Sequence, residues 1–149
     1  MAAGNQLVFE RVDRLAATTI GQRLFTVTAF DAATMQVERV YSSDPEVYPV
    51  GGRKAKRDTE FGRRVLIDRE PLVCEGDAAI ARVFDDHATI GRLGLHSSIN
   101  APVVVGARCV GVLNFLMTGS RVTAEQLRAA MASAADAAVV AALANNAGD

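Results

Sequence analysis

Between residues 41 and 54 the chain gathers Tyr41, Ser43, Tyr48, Arg53 and Lys54, interleaved with Pro45, Pro49, Gly51 and Gly52. Hydroxyls and cations on a glycine-bearing loop can hold a polar or anionic ligand through charge-assisted hydrogen bonds. The glycines do not form a nucleoside-triphosphate cradle, because no glycine stands at the needed distance upstream of Gly52-Arg53-Lys54. His87 follows Asp85 and Asp86, a pairing in which a carboxylate orients a proton-transferring imidazole. Asn114 lies inside an apolar run, where a buried amide must find hydrogen-bond partners or cost stability. Cys74, three residues before Asp77 and its expected helix start, is a candidate redox thiol if that helix lowers its pKa.

Each of these residues also has an ordinary structural explanation. The loop glycines and prolines serve turns, and the aspartates and His87 suit a helix end. Cys74 and Cys109 suit small buried positions, with Cys74 expected to be the more exposed. With only two histidines, three or four converging metal ligands are not available from imidazoles, so no metal or other cofactor is expected.

The elements that must position these residues follow from hydrophobic spacing. Asn5 to Thr19 carries apolar residues at helical intervals (Val8, Val12, Leu15, then Ile20) and stops at Gly21. Arg23–Asp31 and Met35–Ser43 are strand-like and close enough to form a hairpin. Alternation in the second places Val37, Arg39 and Tyr41 on one face. Asp44 to Asp58 is read as loop. Thr59 starts a short helix through Val65, Pro71–Cys74 is a short strand, and Asp77 starts a second short helix burying Ile80, Val83 and Phe84. Asp86 to Leu95 is read as irregular.

Ser97–Val105 and Arg108–Thr118 flank Gly106-Ala107 as the clearest hairpin. Pro102 has no N–H, so its strand needs a free side or a bulge there. If Val105 pairs with Arg108, Ile99 opposes Asn114 and Asn100 lies on the other face; a bulge would change that. Thr123 caps a final helix through Leu143, with Leu127, Met131, Ala134, Ala138 and Ala142 along one stripe.

The 149 residues suit one domain, 1–149, with half of them hydrophobic and 22% charged, which excludes disorder. Sixteen basic and seventeen acidic residues give a net charge of −1, and aromatics make up only 5%. Neither the field nor the stacking surfaces of a dedicated nucleic-acid binder are present. Arg53, Lys54, Lys56, Arg57, Arg63 and Arg64 form a basic concentration interrupted by Asp58 and Glu60, read as a solvated face. The N-terminal residues carry no basic-then-apolar leader, and no apolar run reaches the ~18 residues of a membrane span. A cytoplasmic, reducing setting is expected, without membrane or nucleic-acid partners.

Three stretches carry a family resemblance: TVTAFD in the first strand, RVYSSDPEVYPVGGRK after the second, and INAPVVVGARCVGVLNFL in the final hairpin. Over nearly its whole length the chain resembles a stand-alone bacterial GAF domain. The resemblance implies an α+β fold: an antiparallel sheet with the N- and C-terminal helices on one face, and loops plus short helices covering a small-molecule pocket on the other. It also implies ligand sensing, often as a dimer. With no output domain on the chain, a signal would pass to a protein effector or change the oligomer.

Some single-domain members are free methionine-(R)-sulfoxide reductases, whose nucleophilic cysteine lies just before the penultimate strand. Here that segment, Asp86 to Ser98, contains no cysteine, and Asn114 replaces the acidic residue expected on the last strand. Cys74 alone lies near the family's resolving region. The cyclic-nucleotide signature survives only as Phe84-Asp85-Asp86, and no bilin or haem attachment motif stands out. The expectation is therefore a non-enzymatic sensor of a small polar or anionic metabolite, acting as a homodimer. Its candidate ligand residues are Tyr41, Ser43, Tyr48, Arg53, Lys54, His87 and Asn114. The alternatives are a reductase-like redox enzyme and a structural dimerisation module.

Overall fold

The Gly106 turn, with φ +61°, joins β5 (Ser97–Val105) to β6 (Arg108–Met117), and β6 pairs in turn with β1 (Leu24–Asp31). A computed structural model describes residues 3–147. Its six-stranded sheet has the order β3-β2-β1-β6-β5-β4, with every neighbouring pair antiparallel. The remaining strands are β2 (Gln36–Ser42), β3 (Arg53–Ala55) and β4 (Leu72–Glu75). β4 pairs with β5 only as far as Asn100, so Pro102 meets a partner on one side alone. The expected free side at the proline is there.

Alternation along the central strands sends Phe25, Val27, Ile99, Ala101, Val103, Leu113 and Phe115 to one face. Three helices cover that face: α1 (Ala3–Ala16), α4 (Ala124–Ala134) and α5 (Ala137–Ala147). Helix α1 buries Phe9, Val12 and Ala16, and the turn after it buries Ile20; Leu15, expected inside, is exposed. The final helix, expected to run unbroken, is bent by 54° between Ala134 and Ala137. Asp136 is the cause: its Oδ1 accepts from the N–H groups of Ala138 (2.8 Å) and Val139 (3.4 Å) and so starts a new helix. Thr123 and Gln126 form a reciprocal cap at the start of α4.

Leu24, Val37, Leu72, Cys74, Val112 and Leu116 point to the other face. The middle segment covers them with a π-helical turn (Gly62–Ile67), α2 (Asp77–Val83) and α3 (His87–Arg92). The stretch expected to be irregular thus contains a helix: burial of Ile90 and Leu95 outweighs the roughly 1 kcal/mol that Gly91 costs there. The stretch read wholly as loop contributes the short edge strand β3. Asp77 does not cap α2 through its side chain; its carboxylate instead pairs with His96 Nδ1 at 2.7 Å. Among the described residues, no single helix is long and apolar enough to cross a membrane.

Two bulges set which side chains reach which face. On β2, Val27 pairs with Tyr41 but Thr28 pairs with Arg39, leaving Val40 as the extra residue. On β6, Val103 pairs with Gly111 and Val104 with Cys109, leaving Val110 extra. A one-residue insertion reverses the facing of everything beyond it. The Val40 carbonyl accepts from Gln6 Nε2 of α1 at 3.0 Å.

Candidate functional site

Between the sheet and its middle-segment cover lies a cavity of about 80 Å³. Its floor is built by alternation: Leu24, Thr26 and Thr28 from β1, Val37 and Arg39 from β2, Asn100 from β5, Asn114 and Leu116 from β6. Tyr48, Lys54, Lys56, Phe61, Phe84 and Asp86 form the walls and roof. A space of this size holds several waters or a small organic molecule.

The polar floor is a relay. Asn114 Nδ2 donates to Thr26 Oγ1 (3.2 Å) and to the Thr26 carbonyl (3.4 Å), and Asn100 Nδ2 donates to Asn114 Oδ1 at 2.8 Å. Asn100 is 1% and Asn114 8% exposed. The two asparagines face the same side because the Val110 bulge brings them opposite one another. That corrects the regular-hairpin register, in which they point apart. Asn100 Oδ1, Thr28 Oγ1 and Arg39 Nε are buried without a hydrogen-bond partner. Each such atom costs roughly 1–3 kcal/mol, which a bound molecule can relieve.

Arg39 is held from two sides. Its Nη1 donates to the Pro49 carbonyl at 3.0 Å, and its guanidinium carbon lies 5.0 Å from the Tyr48 ring centre. The Tyr48 hydroxyl donates to Asp86 Oδ2 at 2.7 Å, tying the 44–52 loop to the start of α3. Burial lowers the Arg39 pKa, while Asp86 and Tyr48 oppose the shift. Burial also pushes Tyr48 well above its usual range, reinforced by the hydrogen bond to Asp86, so the phenol remains a donor. Lys56 stands 4.9 Å from the Phe61 ring centre; burial and then neighbouring Lys54 lower its pKa. Lys54 Nζ reaches Asp85 at 3.0 Å. The lining therefore holds three cations against the single carboxylate of Asp86.

Of the residues singled out in sequence, Tyr48, Lys54 and Asn114 come together here. The others do not. Tyr41 packs on the helix side against Phe9 and Phe25, with ring centres 5.9 and 5.8 Å away, because the Val40 bulge turns it over. Ser43 is exposed, and its Oγ accepts from the Phe25 N–H at 2.9 Å. Arg53 alternates away from Lys54 on β3 and binds Glu38 (2.8 Å) and Gln36 (3.2 Å). His87 lines a separate depression with Asp77, Ile80 and Leu95.

Cys74 is fully buried and lies outside the cavity, against the expectation of greater exposure. Burial raises its pKa more than Ser98 and Arg82 lower it. Arg39, Thr26, Thr28, Asn100, Lys56 and Asp86 complete the site. Arg39 is missing from the sequence-based candidates; the signal for it is a cation on the alternating face that it shares with Val37.

A larger cavity of about 420 Å³ lies at the far end of the sheet between Phe30, Met35, Leu66, Ile67 and Cys109. Its lining includes Asp31 and Arg108 but not the asparagine relay or the lysines. Among the described residues, no three His, Cys, Asp or Glu side chains cluster closely enough to hold a metal ion.

The fold is similar to that of several solved domains. The GAF domain of a phosphoenolpyruvate-protein phosphotransferase from Coxiella burnetii shares 16% identity at a TM-score of 0.77, with 99% of this chain and 88% of that one covered. A GAF domain/HD domain protein from Geobacter sulfurreducens shares 17% identity at a TM-score of 0.75, covering 95% and 94%. The second GAF domain of DevS from Mycobacterium smegmatis shares 21% identity at a TM-score of 0.66, covering 97% and 96%. At these identities the likeness speaks for the fold. No curated protein matches the sequence significantly. The GAF domain family model matches residues 9–141, nearly the whole chain. With that match, and with the two-sided antiparallel sheet described above, the chain belongs to the GAF domain family, a fold of sensory and regulatory proteins.

Proposed function

We propose that this domain is a non-catalytic sensor that holds a small, polar, anionic metabolite between its sheet and the 44–95 cover. The observation that carries this reading is that three side chains lining one cation-rich cavity, Arg39, Thr28 and Asn100, each carry a buried, unpartnered polar atom (Nε, Oγ1 and Oδ1). A purely structural module would gain by replacing such atoms with apolar ones. The non-catalytic reading rests on Cys74, whose burial and raised pKa are the reverse of an activated thiol. In this reading the domain works in the cytoplasm as a homodimer, with α1 as the contact surface, and passes its signal to a protein effector. Leu7 and Leu15, two turns apart on α1, are 66% and 60% exposed, which supports that surface.

Native mass spectrometry of gently purified protein, repeated after denaturation, tests the sensor reading. The expected result is a small non-covalent mass on the wild type that is lost on denaturation and absent from Arg39→Met. If neither this experiment nor a thermal-shift screen of small anions finds a ligand, the structural module becomes the better account.

A further inference from the structure

The relay across the cavity floor has a fixed direction, and that direction says what the ligand must bring. The Thr26 carbonyl can only accept, so it takes the amide N–H of Asn114. Asn114 is then left with its Oδ1 facing Asn100, which must answer with its own Nδ2. The group left over is therefore Asn100 Oδ1, an acceptor, buried and without a partner. Arg39 Nε, by contrast, can only donate. The cavity asks for a molecule that accepts at Arg39 and donates at Asn100.

Charge narrows the donor. In the cavity lining Arg39, Lys54 and Lys56 outnumber the one carboxylate, Asp86, so a further cation meets net positive charge. An ammonium group would be repelled, whereas a neutral hydroxyl suits both Asn100 Oδ1 and Thr28 Oγ1. The acceptor end is narrowed by the donors left to it. Arg39 Nη1 is engaged with Pro49 and Lys54 with Asp85, whereas Arg39 Nε is buried without a partner. Among the described residues Lys56 has no carboxylate partner within salt-bridge distance. Arg39 and Lys56, both in the lining, can each donate a charge-assisted hydrogen bond to a carboxylate. A cavity of about 80 Å³ accommodates a short carbon chain.

Building on the sensor reading, we propose that the metabolite class is a short-chain hydroxycarboxylate, its carboxylate on Arg39 and Lys56 and its hydroxyl donating to Asn100 Oδ1. The site then separates a hydroxy acid from the oxo acid of the same carbon skeleton, since a ketone oxygen placed against Asn100 Oδ1 leaves two acceptors facing each other. Leaving a buried polar group unpaired is a strong form of discrimination.

Isothermal titration of the wild-type protein with matched acids tests this: both enantiomers of lactate against pyruvate and propionate, and both enantiomers of 2-hydroxybutyrate against 2-oxobutyrate and butyrate. One hydroxy acid in each series is expected to bind at least tenfold tighter than its oxo and deoxy counterparts. Asn100→Leu is expected to bring the members of a series within about threefold of one another. Because Asn100→Leu can compromise folding, the wild-type Asn100 side-chain amide resonances provide a second readout, expected to shift with the tighter-binding enantiomer of lactate and not with propionate. Equal or weaker binding of the hydroxy acids would overturn the inference while leaving the anion sensor standing. A hydroxyl preference that survives in folded Asn100→Leu would overturn the assignment to Asn100. Failure of every acid to bind would overturn the hydroxycarboxylate assignment, and the anion reading is then decided by the native mass spectrometry and anion screen described above.

Discussion

Arg39 carries a charge that the surrounding structure only half compensates. Its Nη1 and ring-facing side are occupied, its Nε is not, and burial depresses its pKa. Such a group is better explained by binding than by stability. Arg39→Met is therefore expected to weaken anion binding at least about tenfold while changing the unfolding free energy by less than about 1 kcal/mol, as checked by calorimetry and urea titration. Cys109 gives a second prediction at this scale. Burial pushes its thiol up to about 11, from an ordinary value of 9.0. The unfolded chain releases that proton first, so the contribution to stability is whole below pH 9 and is lost as pH rises toward 11. Cys109→Ala should flatten the fall by at most about 1.4 kcal/mol per pH unit, read from denaturation midpoints between pH 8 and 11. Residue types alone pointed to Tyr48, Lys54 and Asn114 but also to Tyr41 and Arg53. What separates them is which face each side chain takes, and type does not encode that.

The faces are set by elements, and above all by two bulges. The hairpins, the terminal helices and the cover were readable from alternation, turn residues and helical spacing. The extra residues Val40 and Val110 were not, because a bulge inside an apolar strand looks like any other valine. Yet Val110 is what brings Asn100 opposite Asn114, and Val40 is what turns Tyr41 away from the cavity while Arg39 faces it. Gly111, next to the second bulge, packs where nothing larger fits. A Cβ there would lie 2.6 Å from the Thr28 carbonyl oxygen and 2.8 Å from Leu143 Cδ1. Gly111→Ala must push α5 or β1 aside, at an expected cost of about 1–3 kcal/mol in urea unfolding. Backbone amides of β1 and β6 should also exchange faster in that variant. The break in the final helix at Asp136 has the same lesson: helix propensity favoured continuity, and one short carboxylate capping a new start overrode it.

At the scale of the whole molecule, the sheet carries a buried apolar cluster on each face. The cover side adds to its apolar cluster the Thr26–Asn114–Asn100 floor and the cation-lined cavity. In the proposed reading the two faces have separate tasks, association through α1 and ligand capture through the cover. Leu7→Glu combined with Leu15→Glu should convert a dimer to a monomer by analytical ultracentrifugation with little change in unfolding free energy; a wild-type monomer would contradict the dimer. Where the ligand sits can be read from a titration followed by backbone and side-chain amide resonances. With lactate as the probe, the account predicts saturable shifts at Thr26, Thr28, Lys54, Asn100 and Asn114, with α1 and α4 unmoved at the same concentrations. Shifts confined to the Cys109 cavity or to the helices, or none at all with any small carboxylate, would contradict it.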